Sequence, residues 1–285
     1  MTNVEYIVDP SMVNIIGEEK GEHTVLLDHA VVYRDVHDTS FAWLVEVPEV
    51  LEYLFRGRLG QEGGNGAEYD FLGDLFDKLE NKTNKFSRLY TCDKRLLKYD
   101  CVRYSPPPFS SWITGKNCKL YEKSKLVSFV TSPKRYTKLQ NDRVTLADNL
   151  ITDGVCEVFG RAYTPVENKV DALSDYMFSV AIENVVAPGY HTEKILDCFR
   201  TGTVPIYIGD PELDSFDSNG VIRASGIEEV QNIIQSKLDK KLYDNMMPFI
   251  KNNFEVAMGY DNSARTIYKN MLRDWRESEQ TSNRD

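Results

Sequence analysis

The chain is 285 residues long, 41% hydrophobic and 27% charged, with a formal net charge of -10. That balance describes a folded globular protein with room for two domains of ordinary size. It excludes a bulk nucleic-acid or anionic-membrane binder, so a polyanionic ligand must be met by a local cluster of basic side chains.

In chain order, HTVLLDHA (23–30), FAWLVEVP (41–48), FSRLYTCD (86–93) and CVRYSP (101–106) have the length and composition of strands. EVLEYLF and YDFLGDLFDKLENK carry helical spacing between them, and the glycine-rich GRLGQEGGNGAEY (57–69) reads as a loop. SPPPFSSWITGKN (105–117) places three prolines in a row, which neither a helix nor a central strand tolerates. It is a stiff extended segment and marks a domain boundary. Alternation then resumes with LVSFVTS (126–132), a helix around RVTLADNLI, and the strands GVCEVFG (154–160) and MFSVAIEN (177–184). Helix TEKILDCFR, strand VPIYIGD (204–210), strand GVIRA and a helix from Ile227 to about Lys237 follow. VPIYI is apolar throughout, as a strand buried on both faces must be. Near the end, Ala264, Ile267, Tyr268, Met271 and Trp275 share one helical face that must dock on something.

Strands alternating with helices predict parallel sheets, here as two Rossmann-like α/β domains with a cleft between them. The expected divisions are residues 1–122 for the acceptor-side domain and 123–262 for the nucleotide-binding domain. Residues 263–285 form the C-terminal helix and tail.

One stretch carries chemistry. In FSVAIENVVAPGYHTEKILDCFRTGTVPIYIGDP, Thr192 is an N-cap candidate and Glu193 and Lys194 open a helix. A cation in a first helical turn opposes the macrodipole. Either Lys194 points to solvent at a small cost, or an anion compensates it. The free N–H groups of such a helix start suit phosphate, and Glu193 is placed to accept hydrogen bonds from vicinal hydroxyls such as those of a ribose.

This stretch resembles the signature of the α-1,3-fucosyltransferases, glycosyltransferase family 10. The resemblance rests on Phe178, Glu183, Asn184, Tyr190, Thr192, Glu193, Lys194, Val204, Pro205 and Gly209. SFVTSPKRYTKLQNDRVTLADNL, which points to Arg143, and GVCEVFGRAY resemble further family segments; together they cover roughly residues 125–225. The resemblance implies a GT-B fold, two Rossmann-like domains facing a central cleft, and inverting transfer of L-fucose from GDP-fucose to a hydroxyl of a glycan acceptor. It also implies roles: Arg143 and Lys194 neutralise the diphosphate, Glu193 binds the ribose hydroxyls, and Asn184 and Tyr190 contact the phosphates or the sugar. With those cations in place, neither a metal nor another cofactor is required.

Inverting transfer needs a general base. FAWLVEVPEV echoes the family strand that ends in such a glutamate, which points to Glu46, with Glu49 as the fallback; the alternative is an ordinary surface glutamate. Trp43 and Trp112 either line the acceptor side or pack in the interior, with packing favoured. His191 reads as a space-filling loop residue, and Arg161 as a surface residue or a phosphate contact. His23, His29 and His37 have no metal-binding spacing.

Val185, Val186 and His191 depart from the family pattern. Another GDP-linked sugar, or a nucleotide-sugar or glycan-binding protein without activity, therefore stay as alternatives. A G-x-G-x-x-G dinucleotide fingerprint is absent. No apolar run reaches the ~18 residues of a membrane span, and the N-terminus lacks a signal-peptide layout. Five cysteines without a CxxC pair suit a reducing compartment. A soluble cytoplasmic enzyme of bacterial or viral type, unglycosylated at Asn81 and with no nucleic-acid partner, is expected.

Overall fold

The computed structural model describes residues 3–5, 24–28, 30–33, 39–52, 70–81, 86–260 and 263–282. The chain divides into two compact units. The first comprises Met1–Phe109, Ala187–Tyr190 and Asn262–Asp285, and the second Ser110–Val186 and His191–Asp261. The expected loop at 57–69 and His23, His29 and His37 lie outside the described residues.

The first unit is built on a parallel sheet of β1 (Asn3–Glu5), β2 (Thr24–Leu27), β3 (Thr39–Leu44), β4 (Phe86–Thr91) and β5 (Val102–Tyr104), in that spatial order. Side chains alternate between its faces. Leu26, Ala42, Leu44 and Leu89 pack with helices α1 (Ala30–Tyr33) and α2 (Phe71–Glu80) through Val31, Phe71, Leu75 and Leu79. Val25, Leu27, Phe41, Trp43 and Tyr90 face the other way, onto Ile267, Tyr268, Met271 and Leu272 of the C-terminal helix Ala264–Ser282. Both faces are covered, which is why FAWLV is apolar without interruption. The expected amphipathic helix thus docks on the first unit's sheet. Polar contacts set its register: the Tyr90 hydroxyl donates to Asp274 Oδ2 at 2.5 Å and Trp275 Nε1 to Ser87 Oγ at 3.0 Å. Burial, then the Asp274 hydrogen bond, raises the Tyr90 pKa, so its phenol stays a donor.

The second unit carries β6 (Lys125–Val130), α3 (Lys138–Asp153), β7 (Glu157–Phe159), β8 (Tyr176–Ile182) and α4 (Glu193–Phe199). β9 (Val204–Ile208), β10 (Ile222–Arg223), α5 (Ile227–Ser236) and α6 (Lys240–Gly259) follow. Its sheet is parallel, in the order β10-β9-β8-β6-β7. The chain runs outward from β6 through α3 to β7, then reverses and lays β8, β9 and β10 on the other side of β6. The carboxyl ends of β6 and β8 therefore flank a topological switch point, where open α/β sheets bind ligands.

Three sequence expectations need correction. GVCEVFG is a strand only at Glu157–Phe159, because Gly154 ends α3 in the left-handed region at φ 66°. MFSVAIEN ends at Ile182, leaving Glu183 and Asn184 beyond the sheet. Helix α6 is missing from the sequence reading because Pro248 stands inside it. Its buried side Tyr243, Met246, Ile250, Asn253 and Ala257 keeps helical spacing through the proline, and packing outweighs that local penalty.

Candidate functional site

Every residue of β8 is buried, and Glu183 follows it with no exposed surface. A buried carboxylate must be paired and fully hydrogen-bonded. Glu183 Oε1 accepts the Thr192 N–H at 2.8 Å, while Oε2 accepts the Thr192 hydroxyl at 2.7 Å and the Lys194 ammonium at 3.1 Å. Thr192 is the N-cap by position, yet its hydroxyl makes no capping bond to the helix backbone and donates to Glu183 instead. Lys194 also donates to Thr192 Oγ1 at 2.8 Å and lies 3.5 Å from Glu193 Oε1. The compensating anion for this first-turn lysine is thus in the chain itself, chiefly Glu183.

Burial works against a charged Glu193, but Lys194 first, then Lys169 and hydrogen bonds from Thr192 and its own backbone, bring its pKa down to about 2. A carboxylate that stays ionised accepts hydrogen bonds only. Gly209, at the end of the motif, keeps the place open: a Cβ there would lie 2.3 Å from the Tyr207 hydroxyl and 2.5 Å from Glu183 Cγ.

Asn184 is gripped from α3. Its Oδ1 accepts from Arg143 Nη2 at 3.1 Å and Gln140 Nε2 at 3.2 Å, and its carbonyl accepts the Thr137 hydroxyl at 2.6 Å. Thr137 and Gln140 form the capping box that starts α3. Arg143 therefore stands in the second turn of its helix rather than at the opening, and its Nη1 donates to the Ile182 carbonyl at 3.1 Å. Across the switch point, Thr131 follows β6. It is 93% buried, and its hydroxyl has no hydrogen-bond partner among the described residues.

Glu46 and Tyr190 meet in the first unit. The backbone turns at Val45 and Glu46, where the Val45 N–H donates to Asp28 Oδ1 at 2.8 Å, so Glu46 lies just past the strand end. The Tyr190 hydroxyl donates to Glu46 Oε2 at 3.1 Å. Tyr190 is fully buried in a loop whose Pro188 carbonyl accepts the Lys94 N–H. Gly189 makes that docking possible: it sits at φ 86°, and a Cβ would come within 2.4 Å of the Cys92 carbonyl oxygen. Glu49 is held bidentate by Arg95, at 2.5 and 2.8 Å, and Arg95 also binds Asp93. The two glutamates differ accordingly: Glu49 is locked into an ion-pair network with Arg95, while Glu46 accepts from the Tyr190 phenol.

The structure thus sets Lys194 between Glu183 and Glu193, joins Arg143 to Asn184, and places Tyr190 with Glu46. His191 is buried, with Nδ1 at 3.1 Å from Asp210 Oδ2 and Nε2 at 2.9 Å from the Tyr260 hydroxyl. Arg161 is exposed. Trp43 packs in the interior, but Trp112 is 71% exposed, against the expectation of packing. Sequence reasoning gave Glu183 no role beyond its place in the motif, and it missed the ion pair of Lys169 with buried Asp197, at 2.7 Å. The spacing of Glu193 and Asp197, one helical turn apart, was the available signal. No helix among the described residues is long and apolar enough to cross a membrane.

Part of this chain is similar to known proteins. Residues 120–243 match glycosyltransferase family 10 (fucosyltransferase), C-terminal part. The chain is 31% identical over 108 residues to the alpha-(1,3)-fucosyltransferase FucT of Helicobacter pylori, covering 36% of this chain and 20% of that protein. It is 36% identical over 78 residues to alpha-(1,3)-fucosyltransferase B of Drosophila melanogaster, covering 25% of this chain and 18% of that one. The matched region spans a fifth or less of these two relatives' length. A crystal structure of an alpha1,3-fucosyltransferase superimposes with a TM-score of 0.51 at 15% identity, over 91% of this chain and 89% of that one, so the fold is shared. The resemblance read from Phe178 to Gly209 therefore lies inside the stretch, residues 120–243, that is similar to the C-terminal part of glycosyltransferase family 10 (fucosyltransferase).

Proposed function

We propose that the protein is an inverting glycosyltransferase that moves L-fucose from GDP-fucose to a hydroxyl of a glycan acceptor. The observation that carries this reading is the paired arrangement beyond β8, with Lys194 between Glu183 and Glu193 and Arg143 on Asn184, at a switch point inside the region that matches family 10. Glu193 stays ionised and accepts the two ribose hydroxyls. Arg143 and Lys194 meet the diphosphate. An ammonium has three N–H donors; Lys194 spends one each on Glu183 and Thr192, and the ligand shares the third with Glu193, 3.5 Å away. Asn184, held by Arg143, Gln140 and Thr137, fixes the floor of the site.

In the reaction the acceptor oxygen attacks the anomeric carbon as the bond from that carbon to the diphosphate oxygen breaks. The acceptor proton passes to Glu46, and the charge developing on GDP is met by Arg143 and Lys194. Tyr190 donates to Glu46 and thereby orients it; this role fits its position better than contact with the phosphates. Because side chains supply the positive charge, the proposed reaction persists in a chelator.

Calorimetric titration tests the donor site, and a screen of nucleotide sugars with mass-spectrometric readout tests the chemistry. GDP and GDP-fucose are expected to bind; if neither does, the reading fails. Lys194→Ala and Arg143→Ala are expected to weaken GDP binding by about tenfold or more each, as loss of a charged hydrogen bond worth ~1.5–3 kcal/mol requires. Glu46→Gln is expected to bind GDP-fucose normally and to lose transfer by about 100-fold or more; full turnover would remove Glu46 from the mechanism.

A further inference from the structure

Trp112 is the anomaly of the second unit. It is 71% exposed, while the backbone beneath it is fixed by one fully buried carboxylate. The Ser111 hydroxyl, the Trp112 N–H at 2.9 Å and the Ile113 N–H at 3.2 Å all donate to Asp197 Oδ1. Asp197 Oδ2 holds the Lys169 ammonium at 2.7 Å, and that ammonium stands 4.9 Å from the centre of the Trp112 ring. Three prolines immediately upstream add stiffness. An exposed indole on a backbone held this firmly costs less entropy to cover than one on a loose loop, which is the preorganisation expected of a binding surface.

Its position says what covers it. Asp197 lies one turn below Glu193 on the same face of α4, where residues four apart are neighbours. Lys169, fixed to Asp197, is near enough to help hold Glu193 charged. A ligand whose ribose hydroxyls rest on Glu193 therefore has this face of α4, with Lys169 and Trp112, beside it. The part of a nucleoside attached to its ribose is a flat aromatic base, and a base stacks on an aromatic side chain.

We propose that Trp112 is the stacking platform for the base of the nucleoside diphosphate, with Asp197 and Lys169 as positioning residues that present it. This rests on the donor-site reading above. The test compares GDP with ribose 5-diphosphate, which keeps the sugar and both phosphates but lacks the base, on the wild type, W112F and W112A. A base stack is worth ~1–3 kcal/mol, so W112A is expected to bind GDP about 5- to 150-fold more weakly. It should bind ribose 5-diphosphate as the wild type does, and W112F should stay within a few-fold of wild type for both ligands. Equal weakening of both ligands in W112A would mean that the indole merely supports the fold, and unchanged GDP binding would mean that no base rests on it; either result overturns the proposal. So does unchanged GDP binding with a raised acceptor KM, which would make Trp112 a saccharide platform. A wild type that binds neither ligand overturns the donor-site reading itself, whereas the Trp112 outcomes above leave that reading standing.

Discussion

At the scale of single residues, Glu183 organises the site. It is a fully buried carboxylate, and it binds the backbone of Thr192, its hydroxyl and the Lys194 ammonium. Breaking a buried ion pair by removing one partner costs about 3–5 kcal/mol, because the remaining charge is stranded. Glu183→Gln is therefore expected to lower the melting temperature of the second unit by several degrees and to abolish GDP binding; a calorimetric scan checks the first effect and a titration the second. Glu193 gives a pH signature. Its folded pKa of about 2 lies below the ordinary 4.5, so its contribution to stability is present above 4.5 and is lost as the pH falls from 4.5 towards 2. At ~1.4 kcal/mol per pKa unit the loss is on the order of 3 kcal/mol. Glu193→Gln is expected to flatten that acid limb in urea titrations run at a series of pH values.

At the scale of elements, two glycines set where loops sit, for different reasons. Gly209 follows β9 and leaves room for Tyr207 and Glu183, both buried. Gly209→Ala overpacks the site and is expected to destabilise the unit by about 1–3 kcal/mol, read as a shift in denaturant midpoint, with GDP affinity falling in step. Gly189 has a positive φ and a close carbonyl, so substitution there strains the loop that carries Tyr190 to Glu46. The turnover of Gly189→Ala should fall while GDP binding holds, because Glu46 loses its orienting phenol. Much of the element map was legible: all nine runs read as strands in sequence fall on strands, though CVRYSP and GVCEVFG keep only three strand residues and GVIRA only two. Helix α6 was not, since Pro248 is a breaker by local rules and only packing against the second unit's core keeps the helix whole.

At the scale of the molecule, the chain is not two sequential domains. The first unit takes back Ala187–Tyr190 from the middle of the sequence and its C-terminal helix from the end. That helix seals a sheet face containing Phe41, Trp43 and Tyr90. Removing residues 263–285 would expose several fully buried side chains at ~25 cal/mol per Å². The truncated protein is expected to lose amide protection in β2, β3 and β4, while β6, β8 and β9 keep theirs; hydrogen exchange followed by mass spectrometry distinguishes the two units.

The sequence alone determined the parallel α/β class and the resemblance to the family 10 motif, and it named the candidate donor-site residues, because strand periodicity and a dense motif are local properties of the chain. Only the tertiary structure decided what those residues do to one another. Glu183 had no evident task until Thr192 and Lys194 folded onto it, and Glu46 kept Glu49 as its fallback until the structure showed Arg95 holding Glu49 and Tyr190 donating to Glu46. Trp112 was expected to pack, and it is 71% exposed, with Asp197 pinning its backbone and the Lys169 ammonium beside its ring. Partners brought together from distant parts of a chain leave no periodic trace in it, so burial and pairing became visible only in three dimensions.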